Sequence, residues 1–304
     1  MEPLAWDASL WASLPEDVAS NVFELAAIKS AADSLSLATV SRKVKSWVEP
    51  IIYREVSVDQ TGLFVRTIRD KISTKPSNFF ALHVKSVFID WDVPLVDILP
   101  ALEKCLSVRS VALWVATRPW PPLWAFMGTN YPVIAPRRLS LTSSALDDSD
   151  RDFSRPIFRE VTHLDLGLLK DQTEWSWSTL KSMEGLTHLR LIPLTASREF
   201  IQTVGVIIAE LPQTLQVLVI GHHREISETD LEAVVQKGTD HRVVLLRIVD
   251  EEDSPPPPSG GLTASWQNLQ DESRHPLTTS SDLWSEARDV VQQQLERQRS
   301  SSKV

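Results

Sequence analysis

The sequence holds a single cysteine, Cys105, among 304 residues. A lone thiol can neither close an internal disulfide nor build a thiolate metal cage, so nothing in it calls for an oxidising compartment. Glycine is scarce, nine in all, and none lies in a spaced phosphate-cradling loop, which disfavours nucleotide binding. Basic residues are outnumbered: 31 Lys and Arg against 40 Asp and Glu leave a formal charge of −9. A surface of that sign repels phosphate backbones and anionic lipid, so nucleic acid is not an expected partner. The longest uncharged stretch, Pro119 to Pro136, spans 18 residues but contains Pro121, Pro122 and Pro132, which break a spanning helix, and no membrane span is expected. The opening Met1-Glu2-Pro3-Leu4-Ala5-Trp6-Asp7 carries acids and no basic leader. Neither a secretory nor a mitochondrial signal is expected, and a cytoplasmic or nuclear location is.

What is present is a globular composition, 42% apolar and 23% charged, and a repeat. Apolar triplets at offsets of three and two recur as Val84-x-x-Val87-x-Ile89, Val108-x-x-Val111-x-Leu113, Val161-x-x-Leu164-x-Leu166, Leu186-x-x-Leu189-x-Leu191, Leu215-x-x-Leu218-x-Ile220 and Val243-x-x-Leu246-x-Ile248. Two weaker copies, Tyr53-x-x-Val56-x-Val58 and Pro136-x-x-Leu139-x-Leu141, fit the same frame. Successive central positions lie 31, 24, 28, 25, 25, 29 and 28 residues apart, close to the ~20–29-residue period of leucine-rich repeats. Each triplet reads as a short strand with alternate side chains inward, and most intervening segments carry helical periodicity. Leu95, Ile98, Leu99, Leu102 and Leu106 share one helical face, as do Phe200, Ile201, Val204, Ile207, Ile208 and Leu211. Ser227 and Asp230 mark a helix start before Leu231, Val234 and Val235. Neither element can bury its apolar side alone, so successive units are expected to stack into an α/β solenoid with a parallel sheet on one face and helices on the other. That array covers residues 54–249.

From Asp250 the composition changes to acids, four consecutive prolines and Ser-Gly-Gly, and residues 250–281 read as a disordered linker. Beyond it, Leu283, Ala287, Val290, Val291 and Leu295 fall at helical offsets behind Asp282, predicting an amphipathic helix over 282–298. That helix is expected to fold back on the array, the other reading being that it serves a partner.

Residues 1–53 lack the repeat and read as three helices. Ser13 and Glu16 form a capping box around Pro15, with Val18, Val22, Leu25 and Ala26 continuing one face. A second helix carries Leu35, Leu37, Ala38 and Val40. A third carries Val44, Trp47, Val48 and Ile51 and is interrupted by Pro50. So small a bundle buries a poor fraction of its surface and wants a neighbour.

The ordered set Leu14-Pro15-Glu16-Asp17-Val18, then Leu35-x-Leu37-Ala38-Thr39-Val40-Ser41-Arg42-Lys43-Val44, then Trp47, resembles the F-box. Its continuation through Glu49 to Val56 into a repeat array, with a late Asp282-Leu283-Trp284 helix, is similar to F-box-like leucine-rich-repeat proteins abundant in mushroom-forming fungi. The repeats lack the asparagine that normally follows the third apolar position; Thr117, Ser144 and Leu169 stand there instead, so the coil is expected to be irregular. The resemblance implies docking on a Skp-type adaptor within a Skp/cullin/F-box ubiquitin ligase, with chemistry on other subunits, no cofactor, and an unidentified protein substrate. Leu14, Pro15, Val18, Leu37 and Val40 are the candidate adaptor anchors. The alternative is a protein-interaction scaffold whose bundle caps the array.

In the repeat frame, alternate strand positions form columns on the other sheet face. One runs Ser86, Ser110, Arg138, His163, His188, Val217 and Leu245; the next runs Phe88, Ala112, Ser140, Asp165, Arg190, Val219 and Arg247; a third includes Asp90 and Trp114. Adjacent strands lie ~4.8 Å apart, which brings His163 to His188 and Asp165 to Arg190. Phe88, Trp114, Arg138, His163, Asp165, His188 and Arg190 are the candidate partner-binding face, the plainer reading being a solvated sheet surface. No metal is expected, for want of a third ligand. Cys105 lies on an apolar helix face and reads as a buried hydrophobe. His222-His223 has no acid and serine partners in a recognised frame, and no catalytic residue is assigned.

Overall fold

Each apolar triplet becomes a strand, and each strand pairs in parallel with the one before it. The computed structural model describes residues 14–29, 31–59, 61–70, 75–90, 93, 98, 102–114, 134–145, 151–168, 175–195, 198–223, 225–238, 240–249, 261–277 and 282–301. Three helices come first, α1 (Glu16–Lys29), α2 (Ala31–Leu37) and α3 (Arg42–Ile52). Strand β1 (Glu55–Val58) follows, then α4 (Leu63–Arg69), α5 (Phe79–His83), β2 (Ser86–Ile89), β3 (Ser110–Leu113), β4 (Arg138–Thr142), β5 (His163–Leu168) and β6 (His188–Pro193). The remainder is α6 (Arg198–Ala209), β7 (Val217–His222), α7 (Glu228–Gly238), β8 (Val243–Val249), β9 (Leu262–Ser265), α8 (Trp266–Arg274) and α9 (Leu283–Ser301). The nine strands form one sheet in sequence order, every pair parallel. A parallel neighbour cannot be reached by a hairpin, so the chain must cross over after every strand, and the strand spacing in sequence is the length of that crossover.

The register is in phase from β1 to β7. Glu55, Ser86, Ser110, Arg138, His163, His188 and Val217 stand side by side. Their neighbours at the triplet positions, such as Val87, Val111, Leu164 and Leu189, are fully buried on the outer face. There they meet α4 to α6 and the short 3-10 turns Pro156–Phe158 and Trp177–Ser182. Trp175 stacks on Trp177 and on Phe153 in that layer, and Trp177 packs tilted against Phe153, sealing that part of the outer core. Ser227 Oγ accepts from the Asp230 amide at the start of α7, as its spacing predicts. In place of an asparagine ladder, threonine hydroxyls tie successive turns at the strand entrances. Thr162 Oγ1 donates to Arg137 O and Thr187 Oγ1 to Thr162 O, both at 3.0 Å, and Thr214 Oγ1 donates to Leu186 O at 2.9 Å.

Four expectations are corrected. Residues 262–274, expected within a disordered 250–281 linker, form β9 and α8; β9 alternates buried Leu262 and Ala264 and adds to β8, and Ser265 Oγ caps α8 by accepting from the Asn268 amide at 3.1 Å. Helices cover both sheet faces rather than one, because α8 and α9 lie on the inner face. Phe88, Trp114, Val217 and Val219 belong to this second core. Strand β8 is turned over relative to the frame: Leu218 pairs with Val243, so Val244, Leu246 and Ile248 point inward while Leu245 and Arg247 face the helices of the outer layer. A one-residue slip in a strand exchanges its two faces. Arg247 accordingly pairs with Glu228 of α7. Lastly, α3 runs through Pro50 to Ile52 without a break; Pro50 lies in the final turn, and Tyr53 N still reaches Glu49 O.

The fold-back of the C-terminal helix is as expected, with α9 seated on β7 and β8 and the Gln294 amide donating to Val243 O. The Ser13 cap, most of the helix expected over Leu95–Leu106, Trp120, Trp124, Thr117, Leu169 and residues 250–260 and 278–281 lie outside the described residues. Among the described residues no helix is long and apolar enough to cross a membrane.

Both faces of the sheet therefore contribute to stability. Leu164→Ala on the outer face and Leu246→Ala on the inner face are each expected to cost about 2–5 kcal/mol in urea denaturation. Leu106→Ala, at an exposed position, is expected to stay within about 0.5 kcal/mol of the parent.

Candidate functional site

Two surfaces carry the residues singled out by the sequence, and they differ in one respect: the first is open and the second is filled. The first lies on the bundle. Its core is small, with Ala27, Val44 and Val48 buried and Phe23, Leu37, Ala38, Trp47, Ile51 and Ile52 packed around them. Ser41 Oγ accepts from the Val44 amide at 3.1 Å, so the Val-Ser-Arg element is the N-cap that turns the chain from α2 into α3. Of the expected anchors, Leu37 is half-buried in this core and Pro15 is exposed. Leu14, Val18 and Val40 are 38%, 41% and 62% exposed.

The apolar face of α1 picked out by its spacing meets solvent. Leu14, Val18, Val22, Leu25 and Ile28 are all exposed large hydrophobics, at spacings of four, four, three and three residues that put them on one stripe. Leu35 on α2 is exposed as well. The opposite side, through Phe23 and Ala27, packs on α3. The spacing that identified an amphipathic helix could not say which side of the bundle it faced. Tyr53 joins this unit to the sheet: its ring packs edge-on against Phe79 and Phe80, and Lys75 lies over it at 4.9 Å while holding Glu49 of α3 at 2.7 Å.

The second surface is the inner face of the sheet. Strand pairing brings His163 against His188 and Asp165 against Arg190, as the columns predict. The partners that complete the site come from α8, α9 and the turn between them, which the sequence reading missed. Arg190, 1% exposed, donates from Nη2 to Asp165 Oδ2 at 2.9 Å and from Nη1 to Glu272 Oε2 at 2.6 Å. Its Nε lies 2.9 Å from Asp165 Oδ1, off line for a hydrogen bond. Trp284 stands edge-on to both histidines, at 5.7 and 5.3 Å, and 5.1 Å over the Arg190 guanidinium. Arg274 lies 4.8 Å over Phe88 and donates to Asp90 at 3.3 Å. Arg138 donates to Pro276 O at 2.5 Å, and the Leu277 amide donates to Glu55 at 2.6 Å. Trp266 touches Trp114, just past β3, at 5.8 Å and His223, just past β7, at 5.7 Å. Strands four places apart thus converge on one indole, so the sheet curls around α8. All seven residues of the candidate partner-binding face are in contact with the chain's own C-terminal segment or with each other beneath it, and the face is neither open nor solvated.

The histidines are held neutral. His163 and His188 are stacked, 4.2 Å between centroids and 4° between planes. Thr162 Oγ1 lies 2.9 Å from His163 Nδ1 and Thr187 Oγ1 2.8 Å from His188 Nδ1. Because each hydroxyl gives its proton to a carbonyl, we assign the proton of each ring to Nδ1, donating to the hydroxyl oxygen. Burial, reinforced by the neighbouring ring and Arg138, pushes His163 down to about 3; burial with Arg288 and Arg138 pushes His188 down to about 4. Burial pushes Asp165 up to about 6 although Arg190 opposes it, with Glu272 adding repulsion. Arg190 itself is held above its ordinary value by the two carboxylates, against its burial. The arrangement clasps a carboxylate presented by another part of the chain.

Compared with known proteins, the sequence matches no family model and no curated protein. Among the described residues no group of three or more His, Cys, Asp and Glu is placed to hold a metal ion. Burial pushes the Cys105 thiol up to about 12, so at neutral pH it is protonated and a poor nucleophile. His223 Nε2 lies 2.9 Å from Pro193 O, and His222 is buried on the outer side.

The shifts fix a pH response. The histidines stay neutral in the folded chain while the unfolded chain takes up protons below about 6.5, so stability falls as the pH drops from there toward 4. Asp165 acts in the opposite sense, because its raised value lets the folded state bind a proton first, so acidification through about 6 adds stability. Two rings outweigh one carboxyl. The urea midpoint is expected to fall between pH 7 and pH 4.5, by less in His188→Gln and by more in Asp165→Asn; equal slopes in all three chains would contradict the assignment.

Proposed function

We propose that the chain is the substrate-recognition subunit of a Skp/cullin/F-box-type ubiquitin ligase. The α1–α3 bundle is an F-box that docks on a Skp-type adaptor, and the sheet is an irregular leucine-rich-repeat solenoid that carries the target-binding surface. The chain presents a target and leaves the transfer chemistry to other subunits, in the cytoplasm or nucleus where such assemblies work. The observation that carries the reading is the uncovered apolar stripe of Leu14, Val18, Val22 and Leu25, together with the exposed Val40. A bundle serving only as a cap would turn those groups inward, and a contiguous apolar patch on a small unit marks an interaction site. Each such side chain contributes ~1.5–3 kcal/mol when desolvated at an interface.

The second reading, a scaffold whose bundle caps the array, draws support from the Tyr53, Phe79 and Phe80 packing and the Lys75–Glu49 pair that fasten the bundle to the first repeat. Coexpression with a Skp-type adaptor separates the two. A ligase subunit co-elutes with the adaptor, and Leu14→Asp or Val40→Asp weakens the complex by at least about tenfold, since each removes an apolar anchor and buries a charge in its place. Failure to co-elute, or co-elution indifferent to both substitutions, leaves the scaffold reading standing.

A further inference from the structure

The inner face of the sheet has two halves of different construction. Under α9, β7 and β8 present Val217, Val219, Val244, Leu246 and Ile248, an apolar bed that suits a permanent cover. Under α8, the inner positions of β1 to β6 are largely polar, among them Glu55, Ser86, Ser140, Asp165 and Arg190, with Phe88, Ala112 and Trp114 among the apolar exceptions. Helix α8 mirrors that difference: its buried residues are Leu269, Glu272 and Ser273. The fit is also incomplete. Ser86 Oγ, Glu272 Oε1 and Ser273 Oγ are buried without a hydrogen-bond partner. Such atoms disfavour the closed arrangement relative to one in which water or a better-matched ligand reaches them. A buried ion pair has the same bias, because opening restores the hydration of both charges.

We propose that α8 is a displaceable occupant of the polar half of the inner face, and that this half is the docking site for a helical segment of a partner protein. The fitting segment presents a carboxylate where Glu272 meets Arg190, an aromatic ring six residues earlier where Trp266 meets Trp114, and an aliphatic side chain between them in the place of Leu269. Strand β9 and helix α9 stay in place as anchors on either side of the exchanged helix. The proposal deepens the target-binding half of the reading above and rests on it for the partner being a protein. Its test reads α8 alone, so it can fail while adaptor binding stands, and adaptor binding can fail while it stands.

Hydrogen–deuterium exchange on the full chain gives the first readout: α8 amides are expected to exchange at least about 100-fold faster than those of β5 and β6, as a locally opening unit does. The second uses a fluorescein-labelled synthetic peptide of residues 265–277. It is expected to bind the full-length Glu272→Arg variant, whose own helix is repelled by Arg190, at least about tenfold more tightly than the parent chain. The same peptide carrying Glu272→Arg is expected not to bind. Protection of α8 equal to that of β5 and β6 overturns the proposal, as does a folded Glu272→Arg chain that takes up neither peptide. Should that variant fail to fold, exchange in the parent chain decides.

Discussion

A parallel sheet built one crossover at a time has two faces to cover, and the crossovers can cover only one. In this chain the crossovers lie over Val87, Val111, Leu164 and Leu189 and leave the other face to whatever remains of the polypeptide. Residues beyond β8 supply it. They add one more strand, send α8 across the inner face as far as β1 and β2, and return as α9 over β7 and β8. Burial of every residue in β2, β3, β6 and β7 is the direct result. The general rule that parallel sheets are buried on both sides holds here through the C-terminal segment rather than through helices alternating between faces.

The cover is not uniform in its physics. Over β7 to β9 it is apolar and works by removing hydrocarbon from water. Over β1 to β6 it is a set of charge and hydrogen-bond contacts to named partners: Glu272 to Arg190, Arg274 to Asp90, Pro276 O to Arg138 and the Leu277 amide to Glu55. Burying Arg190 is tolerable because Asp165 and Glu272 both accept from it, and removing either leaves a buried guanidinium N–H without its acceptor. The two histidines beside that cluster are kept neutral chiefly by burial, so they add no charge to it.

The bundle at the other end follows the opposite logic. It has three fully covered apolar side chains and more than that number left in water along α1. A unit with so little core is held by its attachment at Tyr53 and Glu49 as much as by its own packing. What it keeps exposed is accordingly the part of the chain best suited to another protein, which is the basis of the proposed adaptor role.

The period of the triplets, read from sequence, located eight of the nine strands and the columns from β1 to β7, because in those strands one face is consistently apolar and the other is not. It also placed His163 beside His188 and Asp165 beside Arg190, since the register of a parallel ladder carries a repeat position directly onto its neighbour. Strand β8 escaped it: Val243 to Val249 is apolar on both faces except for Arg247, and alternation carries no parity information there. Helix α8 escaped it because only Trp266 and Leu269 of its nine residues are strongly apolar, too few to mark a buried face behind a run of acids and prolines; the contacts that hold it are with Arg190, Asp90 and Trp114, all of them more than 70 residues distant. The orientation of α1 escaped it because an amphipathic stripe is the same sequence whether it meets a core or a partner. Local pattern determined what each segment of this protein is, and long-range packing decided which way it faces and what it covers, since those depend on groups that only the folded chain brings within a few ångströms of one another.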